Sequence, residues 1–132
     1  MNSNIDFDAL LEQAKAASEK AYVPYSGYRV GAALLCSDGS FFTGCNVENA
    51  SYSLTLCAER VAVVKAVSAG WKDFSAIAIY VEDDELFPPC GACRQVLAEF
   101  NPELPVLYAN RNESVLTDLG VLLPQAFSLS DR

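Results

Sequence analysis

The pattern of the 132-residue sequence predicts an α/β fold, a three-layer α/β/α sandwich around a mixed five-stranded sheet. Helical patterns alternate with β-rich runs along most of the chain, which implies crossover connections between strands. The turn sequence Ser37-Asp38-Gly39 lies between two β-rich runs and predicts an antiparallel hairpin in the same sheet. No internal repeat or low-complexity linker interrupts the chain, so we expect a single domain over residues 1–132.

The N-terminal half is expected to hold the hairpin between two helices. An amphipathic helix over Asp6–Tyr22 is predicted because apolar side chains recur there at helical spacing. The hairpin strands are predicted at Tyr28–Cys36 and Ser40–Val47. Leu56–Ala69 is long and apolar and is followed by a glycine, which is typical of a buried helix that ends at that point.

The C-terminal half is expected to complete the sheet. The β-rich run Phe74–Val81 predicts an inner strand, and the segment Cys90–Phe100 predicts a helix after a Pro-Pro loop. Pro105–Ala109 predicts a short strand, and a less defined strand or turn follows it. A last helical stretch is expected near Asp118–Leu123.

Composition and charge narrow the function classes. The chain is 52% hydrophobic and 20% charged, as in globular proteins, and its net charge of −8 disfavours binding to polynucleotides or anionic membranes. The apolar stretches Val61–Ala69 and Phe74–Val81 are too short to span a bilayer. The polar and acidic start Met1–Asp8 lacks the features of a signal peptide, so we expect a cytoplasmic protein with reduced cysteines.

Three of the five cysteines have the spacing of a metal site. Cys90 and Cys93 form a Cys-x-x-Cys pair, which brings two sulfur atoms close enough to share one zinc ion, and Cys57 offers a third thiolate. The chain has no histidine. Three protein ligands and one open position are typical of catalytic zinc, whereas structural sites have four ligands. Both segments are expected at helix N-termini, where the helix dipole favours thiolates.

The chemistry of this cluster depends on its neighbours. Glu59 follows Cys57 by two residues and suits general acid–base work at the open position. Two other interpretations stay open at this point. The Cys-x-x-Cys pair also occurs in redox proteins. A structural zinc site would enlist Cys36 or Cys45 as a fourth ligand, although both lie in predicted strands and are expected to be small buried side chains.

Taken together, these motifs resemble a known family. Cys57-Ala58-Glu59 followed by Pro89-Cys90-Gly91-Ala92-Cys93 is similar to the signature of zinc deaminases with three cysteine ligands. Further stretches resemble the short homotetrameric cytidine deaminases, and the resemblance covers nearly the whole chain. These stretches are Tyr22–Ser26, Val30–Leu34, Gly44–Tyr52, Leu122–Pro124 and Ala126-Phe127.

The resemblance implies a role for each matching residue. Cys57, Cys90 and Cys93 would bind one zinc ion per subunit, and Glu59 would move protons. Asn46 and Glu48 would hydrogen-bond the ribose, to which an amide and a carboxylate offer both donors and acceptors. Tyr28 takes the position where the family usually carries a phenylalanine that packs on the pyrimidine ring, and its hydroxyl is a departure from that pattern.

Other matching positions concern the surroundings of the zinc ion and the subunit contacts. Arg60 matches an arginine that hydrogen-bonds the zinc thiolates and offsets their negative charge. Phe127 matches an aromatic residue that reaches a neighbouring subunit's site, and Tyr52 ends a stretch near subunit boundaries. Arg94 is interpreted as an ordinary helix residue or a subunit contact.

The implied activity is hydrolytic deamination of cytidine and deoxycytidine to uridine and deoxyuridine, a step of pyrimidine salvage. The alternative within the enzymes is deamination of another aminopyrimidine nucleoside such as a blasticidin-type antibiotic, and the stretch Asn46–Asn49 favours an ordinary nucleoside. A polynucleotide-editing deaminase needs basic grooves, which the charge of −8 disfavours. A non-enzymatic zinc module for protein binding would leave Glu59 without a role.

Overall fold

The computed structural model describes residues 5–129 of the chain. The described residues form five strands, four α-helices and a short 3-10 turn at Tyr52–Leu54. The strands are β1 (Val30–Cys36), β2 (Phe41–Cys45), β3 (Phe74–Val81), β4 (Pro105–Ala109) and β5 (Ser114–Asp118). The helices are α1 (Phe7–Ser18), α2 (Ala58–Ser68), α3 (Gly91–Phe100) and α4 (Leu119–Leu122).

The strands form one sheet in the order β2-β1-β3-β4-β5. β1 pairs with both β2 and β3 in antiparallel register, β3 and β4 are parallel, and β4 and β5 are antiparallel. The helix α3 makes the crossover between the two parallel strands. The predicted mixed five-stranded sheet is therefore confirmed, and the less defined segment after β4 is the edge strand β5.

The two faces of the sheet bury two separate apolar clusters. Alternate residues of β1 point to opposite faces, so that Ala32 and Leu34 pack in one cluster and Ala33 packs in the other. The larger cluster contains residues of α2, α3 and α4, and the smaller one contains Leu10 and Ala14 of α1. Helices thus cover both faces, which confirms the predicted three-layer sandwich.

The observed helix ends differ from the predicted ones for tertiary reasons. α1 ends at Ser18 rather than Tyr22, because the backbone of Tyr22 bonds to Asn46 and Glu48 as an isolated parallel bridge. α2 begins at Ala58 rather than Leu56, because Leu56 pairs with Val47 in an extended conformation. Among residues 5–129, the structure contains no helix that is long and apolar enough to cross a membrane.

Candidate active site

Two helix starts bring the chemistry-bearing residues together on one side of the sheet. Cys57 is the extended residue directly before α2, and Cys90 is the extended residue directly before α3. Cys93 lies in the first turn of α3, and its side chain is buried. Since the N-terminus of a helix carries partial positive charge, both helices favour negative charge on these sulfur atoms.

The three sulfur atoms lie in a cluster that fits a metal ion. The Sγ atoms of Cys57, Cys90 and Cys93 all lie within 4.8 Å of one another, and those of Cys57 and Cys90 are 4.0 Å apart. Tetrahedral zinc with Zn–S bonds of about 2.3 Å separates its sulfur ligands by roughly 3.8 Å. The three thiols therefore match a zinc site after shifts of less than about 1 Å.

The other two cysteines lie elsewhere. Cys36 is 1% exposed in the larger apolar cluster, where burial raises the pKa of its thiol. Cys45 ends β2, and within residues 5–129 neither residue belongs to the group that can hold a metal. All five cysteines are free thiols. The interpretation of a four-cysteine structural site therefore has no support among the described residues.

The charges around the cluster favour a thiolate at Cys57. A hydrogen bond from the Cys93 thiol, together with the nearby Arg60 guanidinium, lowers the pKa of Cys57 to about 5. Arg60 Nη2 lies 3.5 Å from Cys57 Sγ and 3.4 Å from the Thr55 carbonyl oxygen. The same hydrogen bond and burial raise the pKa of Cys93. The first thiolate of the site thus forms next to a fixed cation.

Glu59 is the one buried carboxylate at this site. It lies in the first turn of α2 and is 5% exposed. Burial, with a smaller contribution from the charge on Cys57, raises the pKa of the Glu59 carboxyl to about 7. A carboxyl group with such a pKa exchanges protons readily in both directions near neutral pH.

A cavity of 350 Å³ adjoins the cysteine cluster. Its size lies within the range of small-molecule sites, and its walls are mainly apolar with a few polar groups. The lining residues are Tyr28, Val30, Asn46, Thr55, Cys57, Ala58, Glu59, Ile79, Val81, Phe87, Pro88 and Cys90. A larger groove of 480 Å³ lies between α1 and the hairpin turn, and among residues 5–129 no comparable cluster of ligating side chains lies there.

Two aromatic rings form one wall of this cavity. The rings of Tyr28 and Phe87 meet edge to face, with centroids 5.5 Å apart and planes at 77°. Sequence reasoning identified Tyr28 but missed Phe87, which lies in the irregular loop before Pro88. The only signal for Phe87 was an apolar residue next to the Pro-Pro pair, and that signal does not reveal where the ring points.

Asn46 and Glu48 hold the segment that carries Tyr28. Asn46 Nδ2 donates to the Tyr28 carbonyl at 2.8 Å, and Asn46 Oδ1 accepts from the backbone N–H of Val30 at 3.0 Å. Glu48 accepts hydrogen bonds from the Ser26 hydroxyl and from the backbone N–H groups of Tyr25 and Ser26. Asn46 lines the cavity, whereas Glu48 lies outside its lining.

The two residues expected at subunit contacts are highly exposed. Tyr52 is 74% exposed and contacts Tyr25 with ring centroids 6.2 Å apart. Phe127 is 70% exposed, and its backbone forms two hydrogen bonds with the Gln95 side chain, at 2.9 Å and 3.2 Å. Neither side chain lines the cavity around Glu59.

Arg94 lies in α3, as the sequence predicts, but its side chain makes contacts that the sequence did not predict. Its Nε donates to the Pro89 carbonyl at 2.7 Å, and its Nη1 donates to the Leu122 carbonyl at 2.9 Å. The side chain thus connects the loop before Cys90 to the end of α4. The sequence placed Arg94 one residue after Cys93 but contained no signal for its partner at Leu122, 28 residues away.

Three clustered thiols and a buried carboxyl beside a cavity are typical of the metal site of a hydrolase. The sequence matches the family described as "Cytidine and deoxycytidylate deaminase zinc-binding region" over residues 6–109. The chain belongs to this family, and the resemblance found in the sequence is confirmed.

Individual relatives agree with this assignment. A cytidine deaminase of Sporosarcina psychrophila is 49% identical over 129 residues, covering 96% of this chain and 95% of the relative. The crystal structure of a cytidine deaminase from Burkholderia pseudomallei superimposes with a TM-score of 0.88 at 51% identity, covering 93% of this chain and all of that one. A blasticidin-S deaminase of Bacillus cereus is more distant, at 30% identity over 128 residues, with 89% and 91% covered.

Proposed function

We propose that the chain is a zinc-dependent cytidine deaminase that converts cytidine and deoxycytidine, with water, to uridine and deoxyuridine and ammonia. The observation that carries this proposal is the buried Glu59 beside three clustered thiols at a cavity of 350 Å³. The relatives named cytidine deaminase share up to about half of the sequence over nearly the whole chain. We further propose that residues 1–132 act as a single catalytic domain.

Cys57, Cys90 and Cys93 would hold one zinc ion per subunit. When bound, zinc supplies a Lewis acid that makes water a nucleophile at neutral pH. Three thiolates outweigh the charge of the ion by one unit, which weakens this effect. Arg60, 3.5 Å from Cys57 Sγ, supplies a compensating positive charge.

Glu59 carries the protons of the reaction. Its carboxylate accepts a proton from the water that attacks C4 of the cytosine ring, and it donates that proton to the adjacent ring nitrogen N3. It then takes the remaining proton from the hydroxyl group now on C4 and passes it to the amine, so that the C4–O double bond forms, the C4–N bond breaks and ammonia leaves. Burial raises the pKa of the Glu59 carboxyl to about 7, and a carboxyl group of this kind can both accept and donate a proton near neutral pH.

The cavity walls position the nucleoside. The rings of Tyr28 and Phe87 offer an apolar wall for the pyrimidine. Asn46 and Glu48 bind the ribose hydroxyls in this proposal. Asn46 Nδ2 keeps a second N–H for that purpose, and the Glu48 carboxylate has lone pairs beyond those used by Ser26 and Tyr25.

We propose that the enzyme is a homotetramer in the cytoplasm with its sites near subunit interfaces. Large apolar side chains are exposed around the site and on α2, and burying them would stabilise an assembly. Tyr52 and Phe127 would contact a neighbouring subunit there. The net charge of −8 supports a free nucleoside of pyrimidine salvage, rather than a polynucleotide or a membrane, as the partner.

Loss of cytidine absorbance, measured together with the zinc content, tests the proposal. The wild type should contain about one zinc per subunit and release one ammonia per cytidine, while Glu59→Gln keeps its zinc and loses at least about a thousandfold in kcat. Full activity of Glu59→Gln would refute the role of that residue. If the protein binds zinc but releases no ammonia from cytidine, deoxycytidine or a blasticidin-type antibiotic, the proposal that it is a deaminase is refuted. If it prefers the antibiotic, the proposed substrate is wrong.

A further inference from the structure

The loop that leads to Cys90 is the least regular part of the metal site. Residues 82–90 contain no helix or strand, and Cys90 is the exposed member of the three cysteines. By contrast, Cys93 is held inside α3, and the residue before Cys57 is paired with Val47. A ligand at the end of an irregular loop needs other contacts to keep its position.

Arg94 supplies two of these contacts. Its backbone N–H donates to the Cys90 carbonyl at 3.0 Å, and its side-chain Nε donates to the Pro89 carbonyl at 2.7 Å. The Pro89 carbonyl belongs to the peptide unit that joins Pro89 to Cys90. The direction of that peptide influences where the Cys90 side chain points, because its nitrogen is attached to Cys90 Cα.

The same guanidinium extends this link to another part of the fold. Arg94 Nη1 donates to the Leu122 carbonyl at 2.9 Å, at the end of α4. α4 is itself capped by Asp118, whose Oδ1 accepts from the Val121 N–H at 3.0 Å, and Leu119 packs in the larger apolar cluster. The Arg94 side chain thus connects the Pro89–Cys90 peptide to α4, which is held in the core by Leu119.

We propose that Arg94 is a positioning residue for the metal site, which holds the Pro89–Cys90 peptide against the end of α4 and so retains zinc at Cys90. The inference rests on the proposed zinc site. Arg94 touches no ligand atom of the site in the contacts described, and it acts on the metal through the backbone. Removal of a group that orients a metal ligand typically lowers metal affinity by about 10- to 100-fold.

The test measures zinc release into an excess of a chromogenic chelator, with thermal unfolding recorded in parallel. Arg94→Met and the milder Arg94→Lys should release zinc about tenfold faster or more. Methionine lacks the two N–H donors that bond to the Pro89 and Leu122 carbonyls, and a lysine ammonium cannot present two donors in one plane as a guanidinium does. Wild-type rates of zinc release in both variants would overturn the proposal.

The chain contains a matched control in Arg29. Arg29 Nη1 donates to two backbone carbonyls, those of Glu19 and Ala21, at 3.1 Å and 3.0 Å, and neither belongs to the cysteine cluster. Arg29→Lys should lower the melting temperature while zinc release stays within about twofold of the wild type. If Arg29→Lys accelerates zinc release as much as Arg94→Lys does, the effect is general destabilisation and the proposal fails.

A second pair of variants tests the link to α4. Asp118→Ala removes the cap of the turn that carries the Leu122 carbonyl, so it should accelerate zinc release in the wild type but not in Arg94→Met. Equal acceleration in both backgrounds would show that Arg94 does not transmit the effect. A wild type without any bound zinc would instead refute the metal site itself, which separates failure of the proposed function from failure of this inference.

Discussion

Gly44 of β2 lies directly against the first turn of α2, where Ala58 follows Cys57. A Cβ atom on Gly44 would come within 2.5 Å of the Ala58 carbonyl oxygen and 2.7 Å of the Ala62 nitrogen. Both neighbours are backbone atoms, so no side-chain rotation relieves such a contact. The close approach of strand and helix therefore sets the height of Cys57 and Glu59 above the sheet.

Gly44→Ala is accordingly expected to push the start of α2 away from the sheet. Overpacking of this kind costs about 1–3 kcal/mol of unfolding free energy, and here it should also reduce zinc content and kcat. Gly31→Ala is the matched control, because its Cβ would collide with the backbone of Ala14 in α1 on the other face. Denaturant unfolding should show losses in both variants, whereas a zinc defect as large in Gly31→Ala would contradict the argument.

Removal of zinc should destabilise the folded protein. Three sulfur atoms within 4.8 Å of one another repel when they ionise without a cation between them. A ligand present at about 100 times its Kd stabilises the fold by about 2.7 kcal/mol, so chelation should lower the melting temperature by roughly 10 °C. Cys57→Ser should show a much smaller shift with the chelator, and a wild type that melts equally with and without it would refute the metal site.

The cysteine cluster could be predicted from the sequence for a simple physical reason. Cys90 and Cys93 are local neighbours, and their spacing alone brings two sulfur atoms to one metal. The β-rich run Phe74–Val81 likewise predicted an inner strand, and β3 is buried along almost its whole length. Such features depend on a few adjacent residues, so they can be predicted from the sequence alone.

The features that sequence analysis missed depend on contacts between distant parts of the chain. Phe87 faces Tyr28 only because of the path of the loop between β3 and α3. The end of α1 at Ser18 is set by the bridge between Tyr22 and Val47, which overrides the helical pattern. No local pattern encodes such pairings, and they become visible only once the sheet is assembled.

The aromatic wall makes a prediction about substrate binding. Tyr28→Phe should keep the KM for cytidine within about twofold, because the ring provides the apolar surface. Tyr28→Leu and Phe87→Leu should each raise KM, by up to about tenfold, and the double variant should lose less than the product of the two effects. Tyr22→Leu is the control and should leave KM unchanged, because Tyr22 is exposed and does not line the cavity. Unchanged KM in both ring variants would exclude this wall from the binding site.

Glu48 makes a prediction about the dependence of stability on pH. Hydrogen bonds from the Ser26 hydroxyl, and from the backbone N–H groups of Ser26 and Tyr25, lower the pKa of the Glu48 carboxyl in the folded state. Folding therefore favours the ionised form. The resulting stabilisation is complete above the unfolded-state pKa of about 4.3, and it is lost as the pH falls through the lower folded-state pKa.

Wild type and Glu48→Gln should consequently differ most in stability near neutral pH, with the wild type more stable. The difference should shrink below about pH 4, where the Glu48 carboxylate becomes protonated. Melting curves of the metal-free proteins measure this without interference from zinc loss at acidic pH. Ser26→Ala removes the hydroxyl donor and should reduce the advantage of Glu48 at neutral pH. A stability difference that stays constant from pH 7 to pH 3 would mean that the charge on Glu48 does not hold the Tyr25–Ser26 turn.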